Sequence, residues 1–413
     1  YKRQALDPLM RLPPFPAAPL LLLLAAACGG DASSGALATR ADSAGVQIVT
    51  SAEPSWRSGD GWRIEPTPTL DIGPTVDDDP NYDLFQVRGA RLLPGGDLVV
   101  LVAGHRQLRI FDSQGAWVRT IGRDGDGPGE LRSAGGLQVA GDTIFVADNQ
   151  LSRITAFSTT GEALTSWPYP TTEANGRLFP GDRMADGSWL GWAGLRFDAS
   201  GSIPGGTTRN PVLYFRIPAD LAQAPESILT TPGTEQSIKV SNGEGGAITG
   251  ISVWTPPLGR GAPVTAVTGR LIWGDNTFPE VRVHGMDGAP QMLLRWGAPA
   301  IPVDAALIER IKAAALLRAG EDPRARERVE SQYSIPSPAP EVPYFSAINL
   351  DVEGNFWVRE YQVIPSDSVR FQVFHADGQW LGSLALAARH TVQQFASDRL
   401  VTTWQDADDI EHV

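Results

Sequence analysis

Few residues in this 413-residue chain could do chemistry, and they are scattered. The densest group is Gly122-Arg-Asp124-Gly125-Asp126-Gly127-Pro128-Gly129-Glu130. Carboxylates at i, i+2 and i+6 can collect oxygens around Ca²⁺, a hard ion that takes about six to eight of them. A D-x-D-G run without the rest of a twelve-residue loop falls short of that motif, so the expectation is a rigid connection instead. Glycine would supply its backbone angles and Pro128 its stiffness. Asp77-Asp78-Asp79 reads as a solvated acidic loop, with cation binding as the lesser alternative. Of the five histidines (His105, His284, His375, His390, His412), no two stand at a metal-ligand spacing. Cys28 is the only cysteine, which excludes an intramolecular disulfide. No nucleophile elbow, phosphate-binding Walker loop, zinc-protease helix or dinucleotide fingerprint occurs. The Gly-rich stretch at 241–250 lacks the strand–helix setting of a phosphate loop.

The elements that would have to position these residues can be read from composition. Gly (44) and Pro (33) make up nearly a fifth of the chain, against roughly 12 per cent in average usage. Such frequent punctuation argues for many short strands and against a mostly helical protein. Hydrophobic residues are 42 per cent, enough for a core and against disorder of the chain as a whole. The net charge of −13 excludes nucleic acid as the expected partner, since phosphate binding needs a surplus of Lys and Arg. Length alone permits two or three domains or one large β domain.

Internal repeats choose between these. LRIFDSQG, ITAFSTTG, VRVHGMDG and FQVFHADG each place an aromatic or His (Phe111, Phe157, His284, Phe374) four residues before a turn Gly (Gly115, Gly161, Gly288, Gly378). A strand-like run opened by its own turn precedes each marker, and another strand follows it. The units are four-stranded antiparallel meanders of about 40 to 50 residues, the signature of propeller blades. They fall at roughly 87–122, 135–169, 176–231, 258–297, 344–386 and 390–413. The last supplies only about three strands, so a strand within 62–72 is expected to complete it and close the ring.

The segment at 146–161 resembles an NHL-type repeat. GRDGDGPGEL (122–131) and FSAINLDVEGNFWVREY (345–361) resemble motifs of bacterial six-bladed β-propeller lipoproteins. The resemblance covers about 45–413 and implies an all-β, six-bladed β-propeller. Five Leu at 20–24, then small residues ending at Cys28, resemble the lipobox of bacterial lipoproteins, in which the Cys thiol is acylated and the peptide is cut before it. The domain reading is therefore a signal at 1–28 (with Met10 a natural start), a flexible tether at 29–44 and a propeller at 45–413. It implies an exported protein, lipid-anchored at the bacterial outer membrane or cell envelope, that meets the membrane through its lipid alone.

A helical insertion at about 303–331, between blades four and five, is expected from Asp304 as a cap, Leu307, Ile308 and Ile311 at helical spacing, Gly320 as a stop and a second start at Asp322-Pro323. Packing on the propeller is its expected role, ahead of partner docking. Trp192, Trp254 and Trp273 could line the mouth of the channel, where aromatic faces stack on sugars or peptides; core is the plainer reading. Function is expected to be that of a binding module for a protein, peptide or glycan at the rim, with no cofactor. The alternative is a lactonase- or lyase-like enzyme using a divalent metal such as calcium in the channel. For it, Asp148, Asp275 and Glu360, near the ends of second strands, are the candidate ligands.

Overall fold

The computed structural model describes residues 38–57, 60–74, 79–193, 206–221, 223–242, 248–267, 269–334 and 339–413. Cys28, the signal, the tether as far as residue 37, Asp77, Asp78 and residues 243–247 lie outside the described residues.

Among the described residues the fold is all-β with two α-helices. The first sheet runs in chain order through Val87–Leu92, Leu98–Val102, Gln107–Phe111 and Trp117–Ile121. The second runs through Ala134–Ala140, Thr143–Asp148, Arg153–Ser158 and Ala163–Pro168. The third is built on Gly176–Arg183, Trp189–Ala193, Val212–Ile217 and Glu226–Thr231, the fourth on Val264–Val267, Arg270–Trp273, Glu280–Gly285 and Pro290–Trp296. The fifth holds Phe345–Leu350, Phe356–Glu360, Ser368–Phe374 and Trp380–Ala387. The last holds Thr391–Phe395, Leu400–Gln405 and Glu411–His412. The first strands of these sheets touch one another in series: Val87–Leu92 lies against both Ala134–Ala140 and Thr391–Phe395, and Val264–Val267 against both Gly176–Arg183 and Phe345–Leu350. Sheets standing radially, with their first strands innermost, make a β-propeller.

Burial follows from that layout. The second strand of the first sheet, LVVLV, is buried at every position because a neighbouring sheet covers each face. The outermost strand, WVRTI, is mostly exposed. Cores lie between adjacent sheets: Ile272, Val281, Leu294, Phe345, Phe356 and Phe374 join the fourth to the fifth, and Leu101, Ile110, Ile144 and Phe157 the first to the second. The repeat markers are part of this. Phe111, Phe157 and Phe374 are at most 1 % exposed, and the turn glycines Gly115, Gly161, Gly288 and Gly378 all have positive φ. His284, in the same position, accepts from Trp273 Nε1 at 3.0 Å through Nε2, so Nδ1 carries the proton given to the Gly288 carbonyl at 2.9 Å.

Three expectations change. Residues 38–43, read as tether, form a strand: Ala38–Ser43 and Val46–Ser51 make a hairpin whose second strand pairs in parallel with Pro290–Trp296, extending the fourth sheet. Ala44 and Gly45, both at positive φ, form its two-residue turn. The gain is a covered sheet edge and the full burial of Val49. The expected closing strand at 62–72 is reduced to one residue: Ile72 exchanges both backbone hydrogen bonds with Val413 (2.8 and 2.9 Å) at the edge of the last sheet. Finally, a separate sheet of Gly206–Arg209, Glu235–Asn242 and Ile248–Trp254 arises beside the third and fourth, with no counterpart in the repeat pattern.

The helical insertion forms α1 (Ala305–Ala319) and α2 (Pro323–Tyr333), the second running two residues past the expected end of the insertion at about 331. Asp304 and Asp322 cap them through the amides of Leu307 and Arg324, and Gly320 at φ 59° ends α1. Ile311 packs with Leu258 and Val342, with Tyr361, Val363 and Ile364 beside them, so the insert lies against the propeller through its apolar stripe. Among the described residues no helix is long and apolar enough to cross a membrane.

Candidate functional site: cavities around Asp182

Asp182 is positioned by an irregularity. The strands Gly176–Arg183 and Trp189–Ala193 pair regularly through Leu178↔Ala193, Phe179↔Trp192 and Pro180↔Gly191; pairing then resumes at Arg183↔Trp189. Gly181 and Asp182 therefore sit on a bulge, a device that turns a side chain out of its regular alternation. Asp182 Oδ2 accepts from the Thr265 hydroxyl (3.0 Å) and the Ala266 amide (2.9 Å) of the neighbouring inner strand. Burial pushes its carboxyl above the usual carboxylate range, against the pull of the Ala266 amide, the Thr265 hydroxyl and the Arg91 guanidinium. The group is deep among protein atoms yet keeps part of its surface on open space.

That space is three cavities, and Asp182 lines all of them. The first, about 480 Å³, is bounded by the ends of the inner strands, with Arg91, Gln138, Thr265, Asn349 and Gln393 on its wall. The second, about 640 Å³, lies between the third sheet and the separate three-stranded sheet, beside Trp192, Asn210 and Gln236. The third, about 300 Å³, reaches Arg88, Gln138, Phe179 and Trp192. Arg91 is fixed by its bonds to the carbonyls of Ala90 and Gln393, and burial lowers its pKa against the charge of Asp182. Gln394 Oε1 accepts the Leu92 amide at 2.8 Å. Among the described residues, two carboxylates (Asp182, Asp351), three guanidiniums (Arg88, Arg91, Arg183) and several carboxamides line these cavities, a surface that both donates and accepts hydrogen bonds and suits a polar ligand.

The carboxylates singled out by sequence are not brought together. Asp148 is fully buried and accepts four backbone amides, those of Arg132, Ser133, Gln150 and Leu151. Asp275 is paired with Arg209 at 3.0 Å and bonded by the Thr277 hydroxyl and amide. Glu360 accepts from Gln372 and faces Arg370 at 3.9 Å. None of the three lines the central cavity. Among the described residues, no three of His, Cys, Asp and Glu are grouped to share a metal ion. In the loop of Gly122 to Glu130, arginines answer the carboxylates. Asp124 meets Arg106 and Arg132, Asp126 meets Arg132 at 2.8 Å, and Glu130 holds Arg123 at 2.8 Å and the Gly127 amide at 2.8 Å. Arg153 adds bonds to the carbonyls of Asp126, Gly127 and Glu130. Gly125 (φ 149°) and Gly129 (φ 73°) supply the backbone angles around Pro128, as the rigid connection requires. Asp79 caps the short 3₁₀ turn Pro80–Tyr82. Trp273 is committed to His284, whereas Trp192 does face a cavity.

Arg91, Gln138, Asp182 and Thr265 were not legible as a set, because they come from four sheets. One signal was present: Gly181 inside a strand pattern marks a bulge or close approach. In the turn of the same hairpin, Asp186 gives a pH test. Burial pushes its carboxyl up, but the Ser188 hydroxyl and amide and the Arg216 guanidinium bring it down to about 2. Its stabilising effect is present above the ordinary carboxylate range and is lost as pH falls toward about 2. Side chains 35 and 40 % exposed limit the effect to under about 1 kcal/mol. Denaturant titrations at pH 7 and pH 2.5 should show Asp186→Asn less stable at the first, with the deficit shrunk to about a third at the second; an equal deficit at both would refute the assignment.

No family model and no curated protein matches this sequence. Solved structures do. A member of the DUF4221 family from Bacteroides vulgatus is 14% identical, with 83% of this chain and 94% of that one covered and a TM-score of 0.47. An exported-protein candidate from Bacteroides fragilis is 13% identical over 87% and 88%, TM-score 0.41. Virginiamycin B lyase from Staphylococcus aureus is 10% identical over 83% and 97%, TM-score 0.37. At these values the likeness concerns chain course and carries nothing about activity.

Proposed function

We propose that the chain is an exported, lipid-anchored, six-bladed β-propeller that captures a small polar ligand in its central cavities. The observation that carries this reading is Asp182: a carboxylate on a bulge, near Arg91, that lines three cavities walled by strands of different sheets. The signal-like run ending at Cys28 supports export and acylation. Six blades follow if each sheet with an innermost strand counts as one and the Ile72 edge completes the last. A protein, peptide or glycan can present such a ligand at the rim.

Two experiments test the proposal. Cys28→Ala is expected to move the protein from the membrane fraction to the soluble fraction; unchanged fractionation refutes the anchor. Full-length protein in detergent, screened by thermal shift against neutral sugars, amino acids, nucleosides and dicarboxylates, is expected to gain several degrees with one class. Asp182→Asn should weaken that ligand at least tenfold. A screen in which no compound stabilises the wild type refutes the binding reading. Stabilisation by Ca²⁺ alone, lost in Asp182→Asn, would favour the metal-enzyme alternative.

A further inference from the structure

Resting on that binding reading, we propose that the cavity between the third sheet and the separate three-stranded sheet is a carbohydrate site, with Trp192 as its stacking platform. Its volume of about 640 Å³ lies within the range of small-ligand sites, roughly 300–1,000 Å³. Trp192, on the second strand of the third sheet, leaves 38 % of its surface exposed. The ring is held rather than loose. Phe179, its cross-strand partner, stacks on it at 6.2 Å and 26°, and the Arg177 guanidinium lies 5.4 Å from the Phe179 ring. Gly181 allows the indole to lie close to the bulge: a Cβ there would stand 2.8 Å from Trp192 Cζ3. A pre-set aromatic face needs little ordering when a flat ligand stacks on it.

The polar wall selects the class. Asn175, Asn210, Gln236 and Thr234 present carboxamides and a hydroxyl, groups that can donate and accept at once. Asp182 is the one charged side chain among the described residues of this wall. Among the described residues of this wall phosphates and carboxylates would find no cation, which disfavours nucleotides and acidic peptides. A pyranose matches both halves of the site. Its C–H face is apolar enough to lie on an indole, and its rim of hydroxyls gives and takes hydrogen bonds in the manner of the carboxamides and Asp182.

The test uses full-length protein in detergent with maltose, cellobiose, lactose and diacetylchitobiose as probes, and adenosine and a neutral tripeptide as controls. Binding is read by calorimetry and by saturation transfer to the ligand's ring protons. At least one disaccharide is expected to bind, with saturation strongest on one face of one ring. Trp192→Ala should weaken it at least tenfold, and Trp192→Phe should retain part of the affinity. Asn210→Ala, exposed at the cavity edge, should weaken it severalfold with the melting temperature unchanged, which keeps the test open if Trp192→Ala fails to fold. No disaccharide binding, or binding indifferent to both Trp192 variants and to Asn210→Ala, overturns the inference. If a control or another polar compound binds and depends on Asp182 but not on Trp192, the sugar assignment falls while the central-cavity reading stands. If nothing binds, both fall.

Discussion

Asp148→Ala should lower stability by about 4 kcal/mol. Both oxygens of this fully buried side chain are in use: Oδ2 accepts the amide of Arg132 at 2.7 Å and that of Ser133 at 3.1 Å, while Oδ1 takes Gln150 at 3.1 Å and Leu151 at 2.9 Å. Four donors from two chain segments converge on it, one segment following the glycine-rich loop and the other turning from the second to the third strand of the second sheet. Alanine would orphan all four. A buried donor left without a partner costs roughly 1–3 kcal/mol, but Ser133 and Gln150 are exposed residues whose amides water can reach, which offsets part of the sum. Asp148→Asn keeps one acceptor but points an amide at donors, so roughly half the loss is expected. Urea titration should show a lower midpoint with an unchanged slope. A loss below about 1 kcal/mol would mean the loops hold themselves and would return Asp148 to the list of residues kept for chemistry.

Phe374→Ala should cost about 3–5 kcal/mol. The ring has no measurable exposure and lies between Trp296 (5.2 Å, 58°) and Trp380 (6.3 Å, 24°), where the fourth and fifth sheets meet. Truncation leaves a void that stiff strands on both sides cannot collapse into, so the cavity adds to the lost transfer energy. Phe374→Leu, which fills most of the volume, should cost about 1–2 kcal/mol. Thermal and urea denaturation check both. A Phe374→Ala loss no greater than that of Phe374→Leu would show that the interface relaxes, and that the marker is kept for its hairpin rather than its packing.

The contrast between these two residues explains what sequence could yield. Phe374 was legible because packing between blades repeats: the same aromatic, four residues before the same turn glycine, recurs as Phe111 and Phe157. The helical insert was legible for a similar local reason, in Asp304, Ile311 and Gly320. Asp148 was legible as a carboxylate at a strand end, but its partners are backbone amides, which no sequence displays; it reads as a ligand and is a brace. The Asp182 set was hidden for a different reason. Thr265 and Ala266 lie more than eighty residues away in the chain, and only the bulge at Gly181 turns Asp182 toward them. The hairpin at 38–51 was missed because small polar residues that look like a tether can equally pair with an open edge.

The meeting of Ile72 with Val413 also bears on how the fold is reached. Most sheets can assemble from strands adjacent in sequence, through hairpins that close within a few residues. The seam cannot: beside it, Asp71 and His412 are 341 residues apart in the chain when their side chains meet. Contacts so distant are among the slowest to form, since the whole intervening loop must be closed before they return any energy. The ring is therefore a set of fast local steps waiting on one slow latch of two backbone hydrogen bonds and the Asp71 contacts to His412 and Trp404. Until that latch engages, the last sheet has an open edge, and the chain is at its most exposed to pairing with a neighbour.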